Sequence, residues 1–327
     1  MKGSAPGLEE GSGVCYQVRV LIRNRLEELS ALGEPLHLAM GVFDGVHVGH
    51  QAVIARAVAA AEREGGLAGL LTFDPHPIRV IAPGKAPAAL LATLDHKAEI
   101  VADLGVRLFL PLHFDADFAA MEAGEFIARL TAAPVRTLAV GEDWRFGRNR
   151  SGDVSLLAKE AGKRGFRLEA VPPVMIDGDR VSSTRIRQAI GDGNLKAAAR
   201  MLGRPYSVSG TVVPGDQLGR TLGFPTANLP TGDIQLPPAG VWAVLVRDQD
   251  GRLWKGVANL GTRPTVGGAE KRLEVHVFDF SGDLYGKNLD VQFVKHLRPE
   301  EKFASLEALR LQIEQDARAA RETLSDS

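Results

Sequence analysis

Gly41-Val-Phe-Asp-Gly-Val-His47-Val-Gly-His50 decides the reading of this chain. It takes over from Leu36 to Val42, a short apolar run that reads as a strand. It leads into Ala52, Val53, Ala57, Val58 and Ala61, which recur at helical spacing. Two imidazoles three residues apart therefore stand where a strand gives way to a helix. A helix start leaves backbone N–H groups unpaired and carries partial positive charge, so phosphate is stabilised there. Residues three apart share a helical face, which lets His47 and His50 address one ligand. Gly49 between them removes a side chain that would block its approach. The same letters fit an ordinary strand-turn-helix with two surface histidines, and the surrounding sequence has to decide between the two.

Outward from this stretch, strand-like runs at Leu36 to Val42, Leu67 to Phe73, Arg107 to Leu112, Val135 to Val140 and Phe166 to Val171 alternate with helical patterns at Leu94 to Leu104, Glu122 to Leu130 and Val154 to Lys163. Such alternation predicts a parallel, doubly wound α/β sheet, in which ligands bind outside the carboxyl ends of the strands. Gly41 to His50, Thr72 to Pro77 and Gly141 to Gly147 all follow strand ends. Farther on, Val181-Ser-Ser-Thr-Arg-Ile-Arg187 sets hydroxyls where a helix should begin, with Arg185 and Arg187 in or beside its first turn. Hydroxyls there cap backbone donors. Arginines there oppose the helix dipole, a mild cost that an anionic ligand would offset.

After a helical stretch ending near Leu202 the pattern changes. Tyr206 to Val213, Val241 to Arg247, Trp254 to Ala258, Arg272 to Phe278 and Leu289 to Val294 read as strands separated by loops, predicting a β-barrel or sandwich. Leu306, Leu309, Ile313 and Ala317 share one face of a last amphipathic helix, expected to pack on that barrel. A boundary near Gly203-Arg204-Pro205 divides the chain into a disordered tail over 1–14, an α/β domain over 15–203 and a β-rich domain over 204–327 with a core of its own.

Gly215-Asp-Gln-Leu-Gly219-Arg-Thr221 has its glycines one residue too close for a Walker A loop, and Arg220 stands where lysine is needed. The continuation through Gly223, Pro225, Thr226 and Asn228 is more informative. Glycines and proline define a fixed loop, while Thr226 and Asn228 offer the hard oxygen ligands that Mg²⁺ prefers; a plain turn explains the glycines and proline equally well. On the strand from Arg272, alternation turns Leu273, Val275 and Val277 one way and Glu274 and His276 the other. Glu274 is then either a solvated strand residue or a base set against a substrate hydroxyl.

Length and composition bound the rest. A chain of 327 residues can bury two real cores. A formal charge of −1 gives no basic footprint, which argues against nucleic acid as partner and for small-molecule nucleotides. Cys15 is the only cysteine, which excludes a disulfide framework within the chain and fits a reducing cytoplasm. No apolar run is long enough for a membrane span. The sequence is compatible with a homo-oligomer.

With these motifs assembled, a family resemblance emerges. GVFDGVHVGH, TFDPHP at Thr72 to Pro77, GEDWRFGRNRSGD at Gly141 to Asp153 and SSTRIR at Ser182 to Arg187 together resemble the adenylyltransferase module of bifunctional prokaryotic riboflavin kinase/FAD synthetases. GRTLGFPTANL from Gly219, GVWAVLV from Gly240, ANLGTRP from Ala258 and LEVHVFDFSGDLYGK from Leu273 resemble, in order, its riboflavin kinase module. The resemblance implies a nucleotidyltransferase domain followed by a β-barrel kinase domain. Riboflavin would be phosphorylated with Mg²⁺-ATP, and AMP from a second ATP joined to FMN to give FAD and pyrophosphate. By the same resemblance His47 and His50 hold the ATP phosphates around the transition state, and Gly41, Phe43, Asp44 and Gly49 shape the nucleotide side. Ser183, Thr184 and Arg187 hold the β- and γ-phosphates, with Arg180 nearby. In the second half Gly219, Arg220, Gly223 and Pro225 form the nucleotide loop, Thr226 and Asn228 organise Mg²⁺-ATP, and Glu274 is the general base on the ribityl hydroxyl. Val42, Trp144 and Trp242 depart from the more usual Asn, Phe and Tyr. A kinase with an inert α/β scaffold and a non-catalytic flavin-binding protein are the rival readings; the presence of every expected catalytic residue type speaks against both.

Overall fold

The computed structural model describes residues 20–87, 89–215, 218–265 and 268–325. The tail expected over 1–14 lies outside them. Strands β1 (Leu21–Ile22), β2 (Leu36–Met40), β3 (Leu67–Asp74), β4 (Leu108–His113), β5 (Val135–Gly141) and β6 (Arg167–Val171) form a parallel sheet in the order β1-β4-β3-β2-β5-β6. Strands β2, β3 and β4 are buried along nearly their whole length instead of at alternate residues, as strands covered on both faces must be. The helices of this half are α1 (Val48–Glu64), α2 (Pro77–Ile81), α3 (Leu94–Asp103), α4 (Ala116–Ala119), α5 (Ala123–Leu130) and α6 (Val154–Arg164). The chain runs from β2 through β3 to β4 on one side, then returns to β5 and β6 on the other. Strand order thus reverses between β2 and β5, and the crevice for a ligand opens beyond their carboxyl ends.

A hairpin of β7 (Met175–Ile176) and β8 (Asp179–Arg180) follows, turned by Asp177 and Gly178, both at positive φ. Asp-Gly suits such a tight turn. Helices α7 (Ser183–Gly191) and α8 (Leu195–Leu202) lead from it into the second half.

There, β9 (Ser207–Thr211), β10 (Ala227–Pro230), β11 (Gly240–Asp248), β12 (Leu253–Thr265), β13 (Gly268–Val277) and β14 (Asn288–Arg298) form an antiparallel sheet in the order β10-β13-β12-β11-β14-β9. Its two ends meet where Val213 bridges to Asn228, so the sheet is a nearly closed barrel. A one-turn helix, α9 (Leu218–Thr221), lies between β9 and β10. Trp242 fills the interior, its indole N–H donating to the Pro238 carbonyl at 3.0 Å. Helix α10 (Leu306–Thr323) covers the outer face: Ala320, with Leu324 just beyond the helix, packs on Val241, Ala243, Val257 and Phe278, and Arg298 grips Asp316 through two hydrogen bonds of 2.9 and 2.8 Å. The apolar stripe expected on this helix is only partly used. Leu306 is exposed and Leu309, Ile313 and Ala317 are half-buried, because the helix closes on the barrel late in its course.

The barrel core does not end at the barrel. Ile186, Ala189, Ile190, Ala198, Met201 and Leu202 of α7 and α8 belong to the same buried cluster as Tyr206, Val208, Trp242 and Val291. Burying a large aliphatic side chain contributes about 1.5–3 kcal/mol. A fragment of residues 204–327 is therefore expected to fold but to unfold at lower temperature than one of residues 182–327. Thermal melts of the two fragments check this; equal midpoints would mean that α7 and α8 add nothing to the barrel.

Candidate active sites

Beyond β2 the backbone takes a strained course. Phe43, Gly45 and Val46 all have positive φ, at 51°, 80° and 45°. For the β-branched Val46 this costs on the order of 1–3 kcal/mol and persists only where surroundings enforce it. The Phe43 ring folds back over Gly41, where a Cβ would stand 3.1 Å from it. Helix α1 then begins with His47 as its N-cap, whose Nδ1 accepts the N–H of His50 at 3.3 Å. An accepting Nδ1 leaves the His47 proton on Nε2. The two rings stack with centroids 3.5 Å apart and planes 16° apart. Burial, aided by Arg180 and Arg204, pushes His47 down to about 4, and burial together with its neighbour His47 lowers His50 as well. At neutral pH both are neutral imidazoles, able to donate N–H bonds without carrying charge. His50 Nδ1 is buried with no hydrogen-bond partner among the described residues.

These rings edge a cavity of about 1130 Å³ over the switch point, whose wall includes Gly41, Phe43, Gly49, Arg180, Ser183 and Thr184. Its far side is aromatic: Phe73, Phe114, Phe118, Phe126, Trp144 and Phe146. Phe73 and Trp144 lie nearly parallel, 8° apart with centroids 6.3 Å apart. Helix α7 starts at the cavity with Ser182 as N-cap, accepting the Arg185 N–H at 3.3 Å. Neither α1 nor α7 carries a carboxylate in its first turn, so the positive ends of both dipoles are uncompensated.

Asp44 ties the two helix starts together. Its Oδ2 accepts from Arg187 at 3.1 Å, its Oδ1 accepts the Leu91 N–H at 2.9 Å, and its backbone carbonyl accepts from Ser183 Oγ at 3.0 Å. Arg180 pairs with Asp143 at 2.7 Å. Lys97 of α3 is buried and donates to the Val42 carbonyl at 3.0 Å; burial, partly offset by Asp44 and Asp74, lowers its pKa to about 8.

On the barrel, Glu274 of β13 lies between Asn228 of β10 and Asn259 of β12, its register partners on the two neighbouring strands. Directly opposed residues share a face, so the three polar side chains form a row across the sheet. Leu273, Val275 and Val277 face the other way and are buried. Asn228 is also buried, and its Oδ1 has no hydrogen-bond partner among the described residues. The loop leading to it is tight: Gly219 accepts the N–H groups of Leu222 and Phe224 at 3.2 and 2.7 Å, and a Cβ on Gly219 would collide with the Phe224 carbonyl. His276 Nδ1 holds the Pro225 carbonyl at 2.8 Å, fixing the loop to β13.

Riboflavin kinase matches residues 202–324, and FAD synthetase matches residues 30–185. The bifunctional riboflavin kinase/FMN adenylyltransferase of Escherichia coli K12 is 43% identical over 287 residues, covering 87% of this chain and 91% of the relative. The protein of that name in Bacillus subtilis is 35% identical over 291 residues, covering 86% and 90%. The chain belongs to the bifunctional riboflavin kinase/FMN adenylyltransferase family. It is an enzyme of two activities, making FMN from riboflavin and FAD from FMN with ATP as co-substrate. A crystal structure described as a macrolide-efflux protein from Streptococcus pneumoniae shares the fold, with a TM-score of 0.77 and 31% identity over 93% of this chain and 99% of that one. No described helix is long and apolar enough to cross a membrane.

For this family member the structure brings His47, His50, Gly41, Phe43, Gly49, Arg180, Ser183 and Thr184 to one cavity, while Asp44 and Arg187 meet each other beneath its wall. Some details refine the expectation. His47 caps α1 instead of sharing its face, and Gly49 makes room for the His47 ring, which a Cβ there would approach to 3.2 Å. Asn228, read from sequence as an oxygen ligand following a fixed loop, is the second residue of strand β10. Arg185, a possible phosphate ligand by position, donates instead to the carbonyls of Asp179 and Arg180 at 3.0 and 2.8 Å. Lys97 and Asn259 were not singled out by sequence. Lys97 occupies the stripe of Leu94, Ala98 and Val101 at helical spacing, a charge where an apolar residue belongs. Asn259 shows itself only through register.

The lowered histidine pKa predicts acid sensitivity of the fold. Below pH 6.5 the unfolded chain takes up a proton at His47 that the folded chain refuses until about 4. Stability is therefore full above 6.5 and lost as pH falls towards 4, by on the order of 3 kcal/mol for His47 alone. His47→Asn, which keeps a capping acceptor, is expected to lose less stability than wild type between neutral and about pH 5. Denaturant melts at both pH values check this, and parallel losses in the two proteins would remove His47 as a source of acid sensitivity.

Proposed function

We propose that adenylyl transfer takes place in the cavity over β2 and β5, within residues 15–203, and riboflavin phosphorylation on the barrel, within residues 204–327. The observation that carries the first assignment is the stacked, neutral His47–His50 pair between a helix start and an aromatic-walled cavity. An FMN phosphate oxygen attacks the α-phosphorus of ATP, the bond to the β-phosphate oxygen breaks, and pyrophosphate leaves. No enzyme nucleophile is needed, so the protein supplies alignment and stabilisation of developing charge. His47 and His50 donate to the phosphate oxygens on which that charge grows. Ser183, Thr184 and the first-turn N–H groups of α7 hold the β- and γ-phosphates. Arg187 joins them through guanidinium N–H groups beyond the one given to Asp44, with Arg180 nearby. The near-parallel Phe73 and Trp144 suit a flat isoalloxazine.

On the barrel, Glu274 removes the proton of the terminal ribityl hydroxyl as that oxygen attacks the γ-phosphorus, and ADP leaves. Gly219, Arg220, Gly223 and Pro225 form the loop at the phosphates. Thr226 and Asn228 fit Mg²⁺, and the unpartnered Asn228 Oδ1 is the observation that supports this. Bound there, Mg²⁺ neutralises phosphate charge. A cytoplasmic place of action fits a chain with Cys15 as its single cysteine.

Chromatography of products from pure protein with riboflavin, ATP and Mg²⁺ tests the reading. FMN followed by FAD is expected. FMN alone would leave the α/β half a scaffold, and no conversion would leave a flavin-binding protein.

A further inference from the structure

In the loop that carries His47 the Phe43 carbonyl accepts the Val46 N–H at 3.3 Å, and the carbonyls of Val42, Asp44, Gly45 and Val46 are held by side chains from elsewhere. Val42 accepts from Thr72 Oγ1 at 2.8 Å and Lys97 Nζ at 3.0 Å, and Asp44 accepts from Ser183. The last two, immediately before His47, are held by the other half of the molecule. Arg204 Nη2 donates to the Gly45 carbonyl at 2.9 Å, and Nη1 to the Val46 carbonyl at 3.2 Å and more loosely to Leu202 at 3.4 Å. Gln51 Nε2 bridges the same Val46 and Leu202 carbonyls at 2.9 and 2.7 Å. Gly45 and Val46 are the residues whose left-handed backbone sets the direction in which the chain enters His47. Gly45 is further pinned from outside, since a Cβ there would lie 2.6 Å from Leu91.

We propose that Arg204, at the entrance of the kinase barrel, is a positioning residue for adenylyl transfer: its forked guanidinium holds the Gly45 and Val46 carbonyls and thereby fixes where His47 presents Nε2. The fork is what the site requires, because one planar group reaches two neighbouring carbonyls in a fixed geometry. Without it, the Gly45 carbonyl loses its side-chain donor and only Gln51 holds that of Val46, so the left-handed turn loosens and the His47 ring shifts on its stack with His50. The inference rests on the assignment of these two histidines to adenylyl transfer.

The test uses the full-length protein with Arg204→Gln, Arg204→Lys and Arg204→Ala. Misplacing a reacting group by about 1 Å costs up to a hundredfold in rate. FAD formation from supplied FMN is expected to fall about ten- to a hundredfold in kcat, with KM for ATP nearly unchanged and riboflavin phosphorylation close to wild type. Added guanidinium should restore part of the rate to Arg204→Ala. Arg204→Lys, which keeps the charge but loses the fork, should remain impaired, and it carries the test if the other variants do not fold. FAD formation within twofold of wild type in a folded variant overturns the proposal. So does parallel loss of both activities without guanidinium rescue, which would make Arg204 a structural tie. His50→Ala, assayed alongside, separates the two ideas: if it still makes FAD, the histidine assignment is wrong; if it does not while Arg204→Gln does, only the role of Arg204 falls.

Discussion

Replacing His50 with alanine is expected to lower FAD formation a hundredfold or more while riboflavin is still converted to FMN, which accumulates. The magnitude follows from removing one positioned donor to developing negative charge, about 10² to 10³ in rate. The fold should survive the change. The bond to His47 comes from the backbone N–H of residue 50, which alanine retains, so α1 keeps its cap. Alanine is also a better helix former than histidine. Its aromatic neighbours are His47 and Phe43, both in the α/β half. Product analysis with riboflavin, and separately with FMN, checks the expectation. Undiminished FAD synthesis by a folded variant would take His50 out of the reaction.

Glu274→Gln is expected to slow riboflavin phosphorylation by about 10² to 10⁴, the usual cost of losing a general base. Glutamine keeps the size of the side chain and much of its hydrogen bonding beside Asn228 and Asn259, and the buried Leu273, Val275 and Val277 still anchor β13. An ordinary surface substitution would change stability by only about half a kcal/mol and leave turnover alone. Binding of riboflavin and Mg²⁺-ATP should therefore persist, as should adenylylation of supplied FMN. Steady-state assays of each activity decide the matter; riboflavin turnover within a few fold of wild type would make Glu274 a solvated strand residue.

Much of this could be read from the chain because local patterns and tertiary demands agree. Parallel strands covered on both faces appear as continuous apolar runs, and β2 to β6 lie within a few residues of their expected positions. In the barrel, alternation around Glu274 set Leu273, Val275 and Val277 on one common face, and that face is the buried one. What could not be read is either very short or set by distant partners. Strand β1 is two residues long and exists by pairing with β4, and β10 is a strand because β13 lies beside it, not because Ala227-Asn-Leu-Pro230 favours one. The engagement of Arg187 with Asp44 spans 143 positions and leaves no local trace. Lys97 did leave one, as a charge on an apolar stripe.

Helix α7 presents Ser183 and Thr184 to one site while Ile186 and Ile190 sit in the core of the other half. The seam between the two enzymes therefore runs through the middle of a single helix instead of along a tether. A tethered fusion can be cut and rejoined by recombination anywhere in its linker, and its parts can diverge separately. Here a substitution at Ile186 or Ile190 bears at once on the packing of the barrel half and on the placement of Ser183 and Thr184, so neither half can be altered at this helix without consequence for the other.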